Sequence, residues 1–137
     1  MQGWSVRTLQ KYICWVGALQ PVLMPEAEAM LTAFYQAQRR ATDRTQALTT
    51  IRMLEGLVRI AQAHAKLMAR TEVTCQDAVV AILLVEASMQ CTAGVTNALH
   101  SQFADDPDLD LQREQQRIMS ECGAVPNAGL QCLDWNP

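Results

Sequence analysis

From Thr50 to Ala69 the apolar residues Ile51, Leu54, Val58, Ala61, Ala65 and Met68 return at intervals of three or four, which an α-helix gathers into a single stripe. Arg52, Arg59, Gln62 and Lys66 fall off that stripe and mark a polar face. A second helix is announced directly afterwards. Thr74 with Asp77 three residues later approximates a capping box, and Val73 is placed to staple onto Ala78. In this second helix Val79, Ile82, Leu83, Val85, Ala87 and Met89 nearly surround the axis, the pattern of an element packed on all sides. It is expected at the centre of a bundle.

Upstream, Ser5 is a good N-cap for a helix that places Leu9, Tyr12, Ile13, Val16 and Leu19 on one side, and Pro21 ends it. Pro25 suits the first position of the next helix, with Glu26 and Glu28 near the positive end of its dipole. That helix should run to Arg40 and turn Ala27, Met30, Leu31, Phe34 and Tyr35 inward, before an exposed polar connection that reaches Gln46. Beyond Gln90 the periodicity loosens. Gly94, Asn97, Asp105, Asp106 and Pro107 indicate a linker over 92–108, followed by a short helix at 109–122. Residues 123–137 show no period, include two prolines and read as a flexible, disordered extension.

At 137 residues the chain suits one domain, large enough to bury roughly two thirds of the surface that its unfolded form would expose. Half of the residues are apolar but only 5% are aromatic, and Ala, Leu, Gln and Met recur at the expense of β-branched runs. The expectation is an all-α fold: a small bundle of four main helices spanning 4–91, without strands.

A net charge of -3 argues against a protein that grips nucleic acid through its overall field, so any such contact must be local. The five cysteines, Cys14, Cys75, Cys91, Cys122 and Cys132, are odd in number and contain no Cys-x-x-Cys pair. They read as free structural thiols of a reducing compartment, not as a disulfide framework or a zinc site. The N-terminus lacks signal-peptide character, and no apolar run approaches the ~18 residues that span a bilayer. A soluble intracellular chain without membrane contact is expected.

Little in the sequence could form an active site by itself. No glycine lies in a Gly-x-x-x-x-Gly-Lys-Ser/Thr phosphate loop, and no apolar strand ends in Asp-Glu to hold magnesium. His64 and His100 are far apart, and His64, in mid-helix, reads as a packed or solvated structural histidine. Cys122 lacks an activating motif, and Asp105-Asp106 reads as a solvated loop.

Three stretches together carry a family resemblance. These are Trp4-Ser5 with Leu9-Gln10-Lys11-Tyr12-Ile13, then Leu19-Gln20-Pro21-Val22-Leu23, then Phe34 through Arg39. They are followed by Thr50-Ile51-Arg52-Met53-Leu54-Glu55, which is similar to the Thr-x-Arg-x-Leu-Glu signature of the minichromosome maintenance (MCM) DNA helicases, and by Ala63-His64-Ala65-Lys66-Leu67. The resemblance extends over about residues 4–120. Ser88-Met89-Gln90 and Gly94 through His100 look more like the ninth MCM paralogue than the replicative members.

The resemblance implies the lid of an AAA+ ATPase module, from a ring-shaped helicase that hydrolyses ATP between neighbouring subunits. It implies that Arg52 is the sensor-2 arginine, the catalytic and cofactor-contacting residue of this chain, reaching ATP held by the adjacent subunit. Magnesium would be held only by motifs outside these residues. Other MCM subunits, the eighth paralogue above all, are the implied partners, with DNA engaged through the assembled complex. The implied setting is the nucleus, in homologous recombination, cross-link repair and mismatch repair.

Arg39 and Arg59 also match family positions and read as surface or ion-pairing residues. Gly56 departs from the family by interrupting the third helix, at a cost of about 1 kcal/mol relative to Ala. Residues 124–137 match nothing in the family and read as a truncated or alternative terminus. Two rival readings stay open. One is a non-catalytic helical module that docks on MCM partners. The other is a helix-turn-helix DNA binder, which is disfavoured because the turn at Glu72-Val73-Thr74 lacks glycine and the helix after it is almost without basic residues.

Overall fold

The computed structural model describes residues 3–40, 50–90 and 107–122. They form α1 (Val6–Gly17), β1 (Val22–Leu23), α2 (Pro25–Arg40), α3 (Ile51–Leu67), β2 (Glu72–Val73), α4 (Cys75–Gln90) and α5 (Pro107–Cys122). The linker expected over 92–108 lies outside the described residues except for its end, where Pro107 and Asp108 already belong to α5. The tail at 123–137, Cys91, His100 and Asp105-Asp106 also fall outside them.

The bundle is all-α apart from one detail. β1 and β2 pair in parallel, Val22 with Glu72 and Leu23 with Val73, although no strand was expected. Neither segment has a strand-like sequence. The ladder arises because two interhelical connections run side by side, where Val22 N–H donates to the Thr71 carbonyl and Met24 N–H to that of Val73. A parallel pair needs a long crossover, and α2 with α3 supplies it.

α4 is the central element, as its apolar circumference predicts, and it packs against α2, α3 and α5. Val73 and Ala78 are both fully buried beside its start. This placement also removes α4 from consideration as a groove-reading helix. The α3–α4 contact is the most extensive in the bundle, and both helices bring small residues to it: Ala61 and Ala65 from α3, Ala78 and Ala81 from α4, all fully buried. Small side chains at a crossing let helix axes approach closely, so each turn there contributes dispersion contacts despite modest side-chain area.

The buried stripe of α3 differs from the expected one. Leu57, Ala61 and Ala65 form its centre, with Leu54 and Val58 packed alongside, whereas Ile51 and Met68 are exposed at the two ends. Apolar residues occupy so wide an arc of α3 that periodicity alone does not locate its midline. α1 departs further. Only Val16 is buried, Tyr12 and Leu19 are half-buried, and Leu9 and Ile13 are exposed, because among the described elements α1 rests chiefly on α3.

α5 joins the bundle by seating Ile118 (1% exposed) against α2 and α4, with Leu111, Met119 and Cys122 around it. Arg117 fastens it. Its guanidinium donates to Glu86 of α4 at 2.7 Å and to Glu114 and Glu121 of α5 at 2.7 and 2.9 Å.

Candidate functional site

Arg52 occupies the second position of α3 and points into solvent, without a hydrogen bond or ion pair to any described residue. Its helix begins without a side-chain cap. Thr50 has the extended backbone of an N-cap (φ -94°, ψ 167°), but its hydroxyl makes no capping bond, and the first turn contains no acidic residue. The Met53 N–H is taken by the Thr50 carbonyl at 2.9 Å, while the N–H groups of Ile51 and Arg52 have no partner among the described residues at the positive end of the helix dipole. With the Arg52 guanidinium beside it, this end of α3 presents donors and positive charge that suit an anionic oxygen cluster such as a phosphate. Glu55 and Arg59 lie on the same exposed face. Arg59 also has no partner among the described residues, and Arg39 is exposed in the last turn of α2.

The other end of α3 is held fast. Ala69 adopts a left-handed conformation (φ 55°), Arg70 N–H donates to the Ala65 carbonyl and Ala69 N–H to that of Lys66. This is a Schellman stop built on alanine where glycine is usual. It turns the chain so that Arg70 meets Asp77 at 3.3 Å and Thr74 Oγ1 at 2.9 Å.

Asp77 is the centre of this end and is fully buried. Its Oδ1 accepts from His64 Nδ1 at 2.6 Å, and its Oδ2 accepts from the Thr74 N–H at 2.7 Å and the Thr74 hydroxyl at 3.0 Å. Burial alone would raise the pKa of this carboxyl. The bonds from His64 and Thr74 and the charge of Arg70 outweigh burial and hold it below the ordinary aspartate value. An ionised carboxylate can only accept, so His64 Nδ1 carries the proton. His64 is thus the structural residue its mid-helix place suggests, tied to the start of α4.

The Asp77 bond to the Thr74 N–H is the half of the capping box that the sequence announces. Its ties to His64, thirteen residues away, and to Arg70 have no local signature. Rigid anchoring fixes where Arg52 stands, since His64 lies about 18 Å along the helix at 1.5 Å per residue. Cys122 is half-buried, and desolvation together with Glu121 and Glu86 raises its thiol pKa, the reverse of an activated nucleophile. Cys14, Cys75 and Cys122 form no disulfide among the described residues. Among the described residues no three His, Cys, Asp or Glu side chains group as metal ligands, and no helix is long and apolar enough to cross a membrane.

The described residues form a helical bundle that ties two connections together by a short ladder and exposes an arginine at a helix start without a side-chain cap, the build of an AAA+ lid. Residues 7–89 match the MCM AAA-lid domain, and the chain belongs to the minichromosome maintenance family. It is 50% identical over 111 residues to a probable DNA helicase MCM9 of Arabidopsis thaliana, covering 78% of this chain and 17% of the relative. A probable DNA helicase MCM9 of Oryza sativa subsp. indica is 49% identical over the same length, covering 78% and 16%. An archaeal minichromosome maintenance protein MCM, from Saccharolobus solfataricus, is 36% identical over 78 residues, covering 54% and 11%. The chain therefore spans about a sixth of the length of the two plant relatives.

Proposed function

We propose that this chain acts as the nucleotide-sensing lid of an MCM-type, ATP-dependent DNA helicase, with Arg52 serving as the sensor-2 arginine toward ATP held by a neighbouring subunit. One observation carries the reading: Arg52 stands exposed, without a partner among the described residues, at the start of a helix that has no side-chain cap and whose far end is anchored. A guanidinium stays charged at any working pH and forks onto phosphate oxygens, so it can stabilise the charge that moves onto the γ-phosphate and leaving oxygens during transfer. The phosphate loop and the magnesium ligands belong to sequence not found among these 137 residues, so Arg52 completes a site built by other segments. The names of the plant relatives support helicase function. The eighth MCM paralogue as partner, a nuclear setting, and a role in homologous-recombination repair are parts of the same proposal.

The test is ATP hydrolysis by an MCM assembly that contains this chain, with subunit association followed in parallel by sedimentation. Arg52→Ala should lower hydrolysis and leave association intact. Unchanged hydrolysis would remove Arg52 from the site.

A second reading, a non-catalytic module that docks on MCM subunits, is favoured by the exposed Val6, Leu9 and Ile13 along α1. Under that reading Leu9→Asp would abolish association, and Arg52→Ala would change neither readout.

A further inference from the structure

Five of the chain's cationic side chains lie on α1 and α3: Arg7, Lys11, Arg52, Arg59 and Lys66. The two helices meet at the C-terminal end of α3, where Lys66 Nζ donates to the Gly17 carbonyl at 3.3 Å and the Tyr12 hydroxyl donates to the Leu67 carbonyl at 2.6 Å. Tyr12 is itself flanked by two tryptophans. Trp4 meets it edge-on with ring centroids 5.2 Å apart, and Trp15 lies at 6.0 Å, tilted by 50°. Trp4 and Trp15 remain 63% and 58% exposed.

Two of these cations share a stripe with an exposed ring. Arg7, Lys11 and Trp15 follow one another at intervals of four and so form one stripe of α1. Residues 3–24 and 59–71, which build this corner, contain no carboxylate. The nearest acidic residues in sequence are Glu26, Glu55 and Glu72, beyond its margins. Acidic residues concentrate instead on α4 and α5, where Glu86, Glu114 and Glu121 are occupied by Arg117. In a chain of net charge -3 this corner is thus predominantly cationic at its surface, its one inner carboxylate, Asp77, being buried against His64 and Arg70, and solvent-facing rings lie within it.

We propose that this corner, formed by α1 and the C-terminal half of α3, binds a single nucleic-acid strand, with Trp15 and Trp4 stacking on bases while Arg7, Lys11, Arg59 and Lys66 neutralise phosphates. Exposed rings interleaved with cations suit an unpaired strand, whose bases are free to stack, better than a duplex, whose bases are already stacked. The site stands independently of ATP and of the role given to Arg52, which lies at the opposite end of α3.

The experiment is fluorescence anisotropy of a labelled oligothymidylate titrated with the full chain, beside a duplex of equal length and inorganic polyphosphate as competitors. The single strand should be preferred over the duplex. With three or four phosphates neutralised, raising salt fourfold should weaken binding roughly 20- to 50-fold. Trp15→Ala should weaken binding about tenfold, with Trp15→Phe retaining most of the affinity. The doubly substituted Arg7→Ala, Lys11→Ala chain should show a shallower salt dependence. Trp15 is exposed, so the variants should keep the helical circular dichroism of the parent.

Equal affinity for duplex and single strand, or competition by polyphosphate that Trp15→Ala leaves untouched, would reduce the corner to a bare patch of charge and overturn the proposal. So would an absence of binding at low salt. Self-association of the chain that Trp15→Ala abolishes, with no oligonucleotide bound, would assign the rings to a protein contact and equally overturn it.

Discussion

His64 Nδ1 and Asp77 Oδ1 stand 2.6 Å apart, joining the last turns of α3 to the first turn of α4 through a carboxylate with no solvent exposure. The same carboxylate takes in Arg70 and Thr74, so three residues from the end of one helix, the turn and the start of the next converge on one group. A buried charge is costly unless its lone pairs are filled, and here His64, Arg70 and Thr74 fill them.

Asp77→Ala should therefore be among the most destabilising substitutions in the chain. It strands a half-buried guanidinium and the Thr74 N–H, and the loss of one member of a buried ion pair costs about 3–5 kcal/mol. Denaturant unfolding of the variant checks this. A change below about 1 kcal/mol would mean that water reaches the Asp77 pocket and replaces the missing bonds.

The depressed pKa of Asp77 fixes the sign of an acid limb. A carboxyl that titrates lower in the folded than in the unfolded state adds stability that is fully present above its unfolded value near 3.8, and that is lost as pH falls through the folded value. Melting temperature should drop below about pH 4 more steeply in the parent than in Asp77→Asn. Parallel acid limbs in the two proteins would contradict the assignment.

Two backbone positions should be open to improvement. Ala69 holds a left-handed conformation that glycine adopts without strain, so Ala69→Gly should stabilise the chain by about 0.5–1 kcal/mol. Gly56 lies within α3, and a methyl group added there meets nothing within 4 Å, so Gly56→Ala should add about 0.5–1 kcal/mol. Thermal melts of each variant and of the pair read both effects, which should add because the sites are far apart.

α5 is held by Ile118 and by the Arg117 bridge to Glu86. Ile118→Ala should cost about 2–4 kcal/mol through lost burial and the cavity left behind, whereas Arg117→Ala should cost about 1 kcal/mol, since that guanidinium is partly solvated. Amide hydrogen exchange should show α5 losing protection ahead of α3 in Ile118→Ala. Uniform loss across all the helices would mean that α5 is inseparable from the core.

Much of this architecture was legible because it is local. Proline and N-cap signals placed the starts of α1 and α2, and the Thr74–Asp77 spacing announced α4 together with one of the bonds Asp77 makes. The parts that escaped are those decided by contacts between distant segments. The β1–β2 ladder exists because two loops run side by side, and the midline of α3 shifted to Leu57 because α4 chose one side of a broad apolar arc. The pairing of Asp77 with His64 and Arg70 depends on the left-handed turn at Ala69, a residue whose composition gives no hint of that conformation. α1 misled in the opposite direction: its apolar positions are real, but Leu9 and Ile13 meet no cover among the described residues. The role proposed for Arg52 was suggested in the sequence by the six-residue signature around it, whereas its exposed place at the uncapped start of α3 is visible only in the fold.

If Arg52 completes an ATP site whose other parts lie on a neighbouring subunit, as proposed, hydrolysis by the assembly depends on its guanidinium. The most direct test is the steady-state ATPase rate of an MCM assembly carrying this chain, compared with the same assembly bearing Arg52→Ala or Arg59→Ala at equal incorporation. Arg52→Ala should lower kcat by about 100-fold or more, the usual scale for a charge-stabilising donor, while Arg59→Ala should stay within about twofold of the parent. An Arg52→Ala assembly that hydrolyses ATP at the parent rate would contradict the proposal.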